Sequence, residues 1–103
     1  MIIYNVTVNI EESIEQEWLE WMKEKHIPDV MNTKMFVSAK MTKVLVNEEM
    51  GGVTYSVQYS CESMAILNQY QEKFAPELKR EYAKKYEGKF VAFRTLLEVV
   101  QEF

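Results

Sequence analysis

Two hydrophobic periodicities replace each other along the 103 residues, and their order admits few architectures. A period-2 run from Ile2 to Ile10 comes first. Ile2, Tyr4, Val6, Val8 and Ile10 share one face, and Ile3, Asn5, Thr7 and Asn9 share the other. Ile14, Trp18, Trp21 and Met22 then recur at helical spacing, which predicts a helix from Glu12 to Lys25. Ile27-Pro28 is expected to end it, since a residue before proline is pushed out of the helical region. Pro28 to Lys34 is left as a turn or a single helical turn.

Alternation returns from Met35 to Val46, with Ala39, Met41, Lys43 and Leu45 opposed to Ser38, Lys40, Thr42 and Val44. Asn47 to Gly52 reads as a hairpin loop, because Gly51-Gly52 supplies permissive backbone. Val53, Tyr55, Val57 and Tyr59 alternate with Thr54, Ser56 and Gln58 in a third strand from Val53 to Ser60. A second helical run carries Leu67, Tyr70, Phe74, Leu78 and Tyr82, with Ser60 or Ser63 as its cap. Pro76 predicts a kink or a restart inside it, and Gly88 a stop. Phe90 to Val100 is the last strand, in which Val91, Phe93, Thr95, Leu97 and Val99 are expected to face the core. The order β-α-β-β-α-β predicts an α+β, ferredoxin-like domain over residues 1–103: a four-stranded antiparallel sheet with two helices on one face.

Composition narrows the function classes. Apolar residues at 48% and charged residues at 27% describe an ordinary globular chain with no stretch long enough to span a bilayer. One cysteine, Cys61, forms no internal bridge, and no secretion signal precedes the first strand, so the expected location is cytoplasmic. A net charge of −4 argues against nucleic acid as a partner. Glu11, Glu12, Glu15 and Glu17 at the start of one helix, and Lys79, Arg80, Lys84 and Lys85 toward the end of the other, complement the helix dipoles. No phosphate-cradling glycine loop or metal-ligand spacing is present, and no cofactor is assigned.

Two helices cover only one face of such a sheet. The uncovered face is expected to collect Asn5, Thr7, Asn9, Ser38, Lys40, Thr42, Thr54, Ser56, Gln58, Arg94 and Glu98, with Val44 and Leu96 among them. Plain solvation accounts for these short polar groups, and so does a wet cavity enclosed between the sheets of a dimer.

The segment Trp18-x-x-Trp21-Met22-x-x-x-His26-Ile27-Pro28-Asp29-Val30, followed by Phe36, resembles small dimeric α+β barrel proteins, whose first helix ends in a His-x-Pro turn. Nearly the whole chain, including Phe90-Val91-Ala92-Phe93-Arg94-Thr95, is similar to a bacterial family of about this length with no assigned activity. The wider resemblance implies a homodimer paired through open sheet faces. It covers cofactor-independent oxygenases, isomerases and dismutase-like haem enzymes, so haem on His26 is a further, weaker expectation.

His26 is the one histidine and the candidate acid or base; capping the helix end is its structural alternative. Asp29 either orients His26 or stabilises the proline turn, as Asp commonly does. Arg94 either anchors an anionic group or pairs with Glu98 on an edge strand. Trp18 and Trp21 at helical spacing read as core, and Cys61 as a semi-buried structural thiol. The leading expectation is a protein that binds or transforms a small organic ligand in an inter-sheet cavity, with Asn5, Thr7 and Gln58 as neutral contacts. A non-catalytic interaction or regulatory module is the alternative, and the sequence leaves open whether the chain is an enzyme.

Overall fold

Nine residues of alternating character place β1 (Ile2–Ile10) in the middle of the sheet, where it pairs antiparallel with a neighbour on each side along its full length. The computed structural model describes residues 1–46, 49 and 51–103; Asn47, Glu48 and Met50 of the expected hairpin loop lie outside the described residues. The other strands are β2 (Ser38–Lys43), β3 (Val53–Cys61) and β4 (Phe90–Glu98), and the sheet order is β2-β3-β1-β4. Strand β2 is shorter than its alternation suggests, although Val37 and Val44 each donate one further backbone bond to the β3 side.

The first helical region is longer than expected. A single 3₁₀ turn leads into α1 (Glu15–Trp21), a π-helical turn over Met22–His26 follows, and α2 (Ile27–Met31) continues to Asn32. Pro28 therefore lies within the helix instead of ending it. The physical reason is the π-turn: the Ile27 N–H bonds to the Met22 carbonyl, five residues back, so the bonding register shifts by one. Helix α2 then restarts with its proline in the first turn, where a missing N–H costs nothing. The second region behaves as expected. Helix α3 (Met64–Lys73) is capped by Ser63, whose Oγ accepts from the Ile66 N–H at 3.3 Å. Helix α4 (Ala75–Lys85) restarts after Phe74 with Pro76 in its first turn.

The helices lie on one face of the sheet, over the set Ile2, Tyr4, Val8, Ile10, Tyr55, Val57, Tyr59 and Cys61, all buried. Trp18 is 0% exposed and reaches Tyr55, with ring centroids 4.9 Å apart. Tyr70 of α3 packs on Phe36 at 4.7 Å, and Tyr82 of α4 packs on Phe90 at 4.7 Å. Cys61 is likewise core, and burial pushes its thiol pKa up, as expected of a structural rather than a reactive cysteine.

Strand β4 reverses the expected phase. Val6 stands opposite Arg94, Val8 opposite Ala92 and Ile10 opposite Phe90, so Phe90, Ala92, Arg94, Leu96 and Glu98 share the helix-covered face. Val91, Phe93, Thr95 and Leu97 lie on the open face instead, where Val91 is 68% and Phe93 61% exposed. The remaining strands keep their expected phase: Lys40, Gln58, Asn5 and Thr95 form one row across the open face, and Thr42, Ser56, Thr7 and Phe93 the next.

Gly52 shows how tightly the end of β1 meets the start of β3. Its φ is +78°, and a Cβ there would stand 2.7 Å from the Ile10 carbonyl oxygen and 2.5 Å from the Asn9 side chain. Gly51 has φ +83°, but a Cβ there would meet nothing within 4 Å among the described residues. Gly51→Ala is expected to cost about 1–2 kcal/mol, the ordinary left-handed penalty. Gly52→Ala should cost clearly more, because backbone must also move; urea denaturation of both variants checks the order.

Candidate functional site

A cavity of about 50 Å³ lies between the helices and the sheet. Its floor is the row Val57, Val6 and Arg94 together with its neighbours Tyr59, Tyr4, Val8 and Ala92. Its roof comes from Met22, His26 and Val30 on the first helical region and from Tyr70, Leu78, Lys79 and Tyr82 on the second. The walls are chiefly apolar and aromatic, with a few polar groups converging on them, which is the usual make-up of a small-molecule site.

His26 reaches this cavity from the π-turn. Its imidazole stacks on Trp21 with centroids 5.0 Å apart and planes 25° from parallel, and the Tyr82 ring meets it edge-on at 5.1 Å. Lys85 stands on Trp21 as well, 5.9 Å from the ring centroid. The His26 Nδ1 is buried and has no hydrogen-bond partner among the described residues. Burial pushes the imidazole pKa down from 6.5 to about 4; Asp29 opposes this, and the charges of Lys25 and Arg94 add to it. His26 is therefore a neutral imidazole at neutral pH, carrying one donor and one acceptor nitrogen. It does not cap a helix end, since helix continues on both sides of it. Nor does Asp29 orient it by a hydrogen bond: Asp29 pairs with Lys25, one turn back on the helix.

Arg94 lies at the mouth. Its Nε donates to the Tyr4 hydroxyl oxygen at 3.0 Å, and Glu98 is not its partner. Tyr82 accepts a hydrogen bond from the Trp18 indole N–H at 2.5 Å, which fixes its ring on the cavity wall. Burial raises the pKa values of Tyr59, Tyr70 and Tyr82, so these phenols stay protonated and can donate.

The five site residues expected from the sequence divide between two places. His26 and Arg94 line the same cavity. Asn5, Thr7 and Gln58 are on the opposite face of the sheet and do not reach it. There Asn5 Nδ2 donates to Thr7 Oγ1 at 3.2 Å and Ser56 Oγ donates to Asn5 Oδ1 at 2.6 Å, so the polar groups bond to one another. Sequence reasoning missed Tyr4, Tyr59, Tyr70, Tyr82 and Lys79. The tyrosines alternate with core valines or sit on the apolar helix stripe, and only their hydroxyl ends reveal the cavity. Lys79 was absorbed into a dipole-complementing cluster.

Fold and cavity together define a ferredoxin-like α+β protein with a pocket under its helices. The chain belongs to the DUF4286 family, a domain of unknown function, which matches residues 1–100. No curated protein shows significant sequence similarity to it. Among solved structures it is similar to a dimeric ferredoxin-like protein from an uncultured marine organism, at 19% identity and TM-score 0.76, over 100% of this chain and 98% of that one. It is also similar to SnoaB, a cofactor-independent oxygenase from Streptomyces nogalater, at 10% identity and TM-score 0.69, over 98% and 95% of the two chains. A putative antibiotic biosynthesis monooxygenase from Deinococcus radiodurans matches at 7% identity and TM-score 0.69, over 100% and 96%. At these identities the likeness is one of fold.

The buried imidazole has a consequence for stability. Between about pH 4 and 6.5 His26 is neutral in the fold and protonated in the unfolded chain. The unfolded state then binds the extra proton, so His26 lowers stability as pH falls through that window and adds no further loss below it. Unfolding by urea at about pH 7 and about pH 4.5 should show wild type losing roughly 2 kcal/mol more than His26→Gln.

Proposed function

We propose that the protein binds a small organic molecule in the cavity between helices and sheet, as a homodimer whose open sheet faces meet. The observation that carries the ligand reading is His26: a neutral imidazole whose buried Nδ1 has no partner among the described residues, on the wall of a mostly apolar cavity. A buried polar atom without a partner costs about 1–3 kcal/mol, which a ligand group within its reach would recover. Its placement in a π-turn supports the same reading, since such turns recur at functional sites. Two structural neighbours described as an oxygenase and a monooxygenase make a reaction on the ligand the natural extension, with His26 accepting or donating the proton.

The dimer reading rests on β4. Val91, Phe93 and Leu97 form an exposed apolar row on the open face, beside the polar rows of Asn5, Thr7 and Gln58. A second copy of the same face would cover the apolar row and leave Asn5, Thr7 and Gln58 as its hydrogen-bonding contacts. The same row would equally suit the alternative of a non-catalytic interaction module with a different protein partner.

Native mass spectrometry of protein purified gently from its host tests both parts. The expected species is a dimer carrying excess mass, with the excess lost in His26→Ala; a bare species in wild type counts against the ligand. Phe93→Lys is expected to give a folded monomer in sedimentation, at a concentration where wild type is dimeric. A Phe93→Lys dimer would overturn the proposed interface.

A further inference from the structure

The charged groups on the cavity are all of one sign. Lys79 and Arg94 both line it, and among the described residues no Asp or Glu does, although acidic residues exceed basic ones in the chain. Three other lysines have carboxylate partners, Lys25 with Asp29 and Glu81, Lys43 with Glu15 and Lys85 with Glu17, whereas Lys79 shares its cavity with a second cation instead. Among the described residues neither Lys79 nor Arg94 has such a pair. The two reach the mouth from different layers, α4 and β4, and the charge of Arg94 acts on Lys79.

The Tyr4 hydroxyl holds Arg94 by its Nε, and the terminal guanidinium nitrogens carry no hydrogen bond among the described residues. This leaves the fork that matches a carboxylate with two parallel bonds. The interior behind it is apolar, lined by Val6, Met22, Val30, Val57 and Leu78. At about 50 Å³ the enclosed space takes roughly four water-sized groups, so the body of the ligand is short.

Building on the ligand reading above, we infer that the site takes a short-chain carboxylate. Its anionic end lies between Arg94 and Lys79, and an apolar body of about four carbons enters the cavity beneath the helices. A ligand of this class neutralises two converging like charges and buries its apolar end in one step.

Amide-resolved NMR titration of the full chain with 3-methylbutanoate and with 3-methylbutanamide tests it, since the two share a shape and differ in charge. The carboxylate is expected to shift the amides of Val6, Leu78 and Arg94 with affinity about tenfold above that of the amide, the weight of charge-assisted bonds at a partly exposed site. Lys79→Gln, an exposed position, and Arg94→Gln should each weaken carboxylate binding about fivefold and weaken amide binding clearly less. Equal affinity for the two probes overturns the carboxylate inference and leaves the cavity reading intact. Cavity amides that respond to neither probe sink both. Carboxylate affinity unchanged in both variants also overturns the inference.

Discussion

The hydrogen-bonding of β1 on both edges is the constraint on which the rest of the structure depends. Every residue from Ile2 to Ile10 has a partner in β3 and in β4, so the register of the whole sheet passes through one strand. A slip by one residue would turn Asn5, Thr7 and Asn9 into the core and send Tyr4, Val6 and Val8 outward. The same register sets Arg94 beside Val6 and Tyr4, and so decides that a cation faces the helices at all. Burial of the Ile2, Tyr4, Val8 and Ile10 row by the helical layer specifies that register.

The helical layer makes its own adjustment at the cavity. A regular α-helix through Pro28 would meet the ring of the proline and lose a bond. The wider π-turn at Met22–His26 takes up the mismatch and lets the helix continue to Met31. His26 sits in that turn, stacked on Trp21 with Lys85 beyond it. Burial between these rings and the sheet is what keeps the imidazole neutral, with the charges of Lys25 and Arg94 acting in the same direction.

The fold was largely legible because period-2 and period-3.6 patterns seldom imitate each other over nine or more residues, and because Ser63, Pro76 and Gly88 punctuate the second half of the chain. Two misreadings have physical causes. Pro28 is a reliable breaker only for a regular helix, and nothing local announces a π-turn. In β4 the set Val91, Phe93, Leu97 is more apolar than Phe90, Ala92, Arg94, Glu98, so hydrophobicity alone selects the wrong face. That choice assumes one buried face per strand, and β4 has polar Arg94 on its covered side and apolar Phe93 on its open side. Of the candidate site, His26 and Arg94 were singled out by residue type, whereas the cavity that both line is a product of packing between layers. Asn5, Thr7 and Gln58 were grouped with them through the β4 phase error.

Strand β4 contributes Phe90, Ala92 and Arg94 to the cavity and Val91, Phe93 and Leu97 to the opposite surface, and as an edge strand it is held by hydrogen bonds on one side only. Whatever grips its outer surface also steadies the wall that carries the guanidinium. For a dimer formed through that surface, thermodynamic reciprocity would tie the two events together: a ligand that ordered the wall would strengthen association, and association would sharpen affinity for the ligand by the same factor. Occupancy of the cavity would in that case rise with the concentration of the protein itself, which would make abundance a control variable for the cavity.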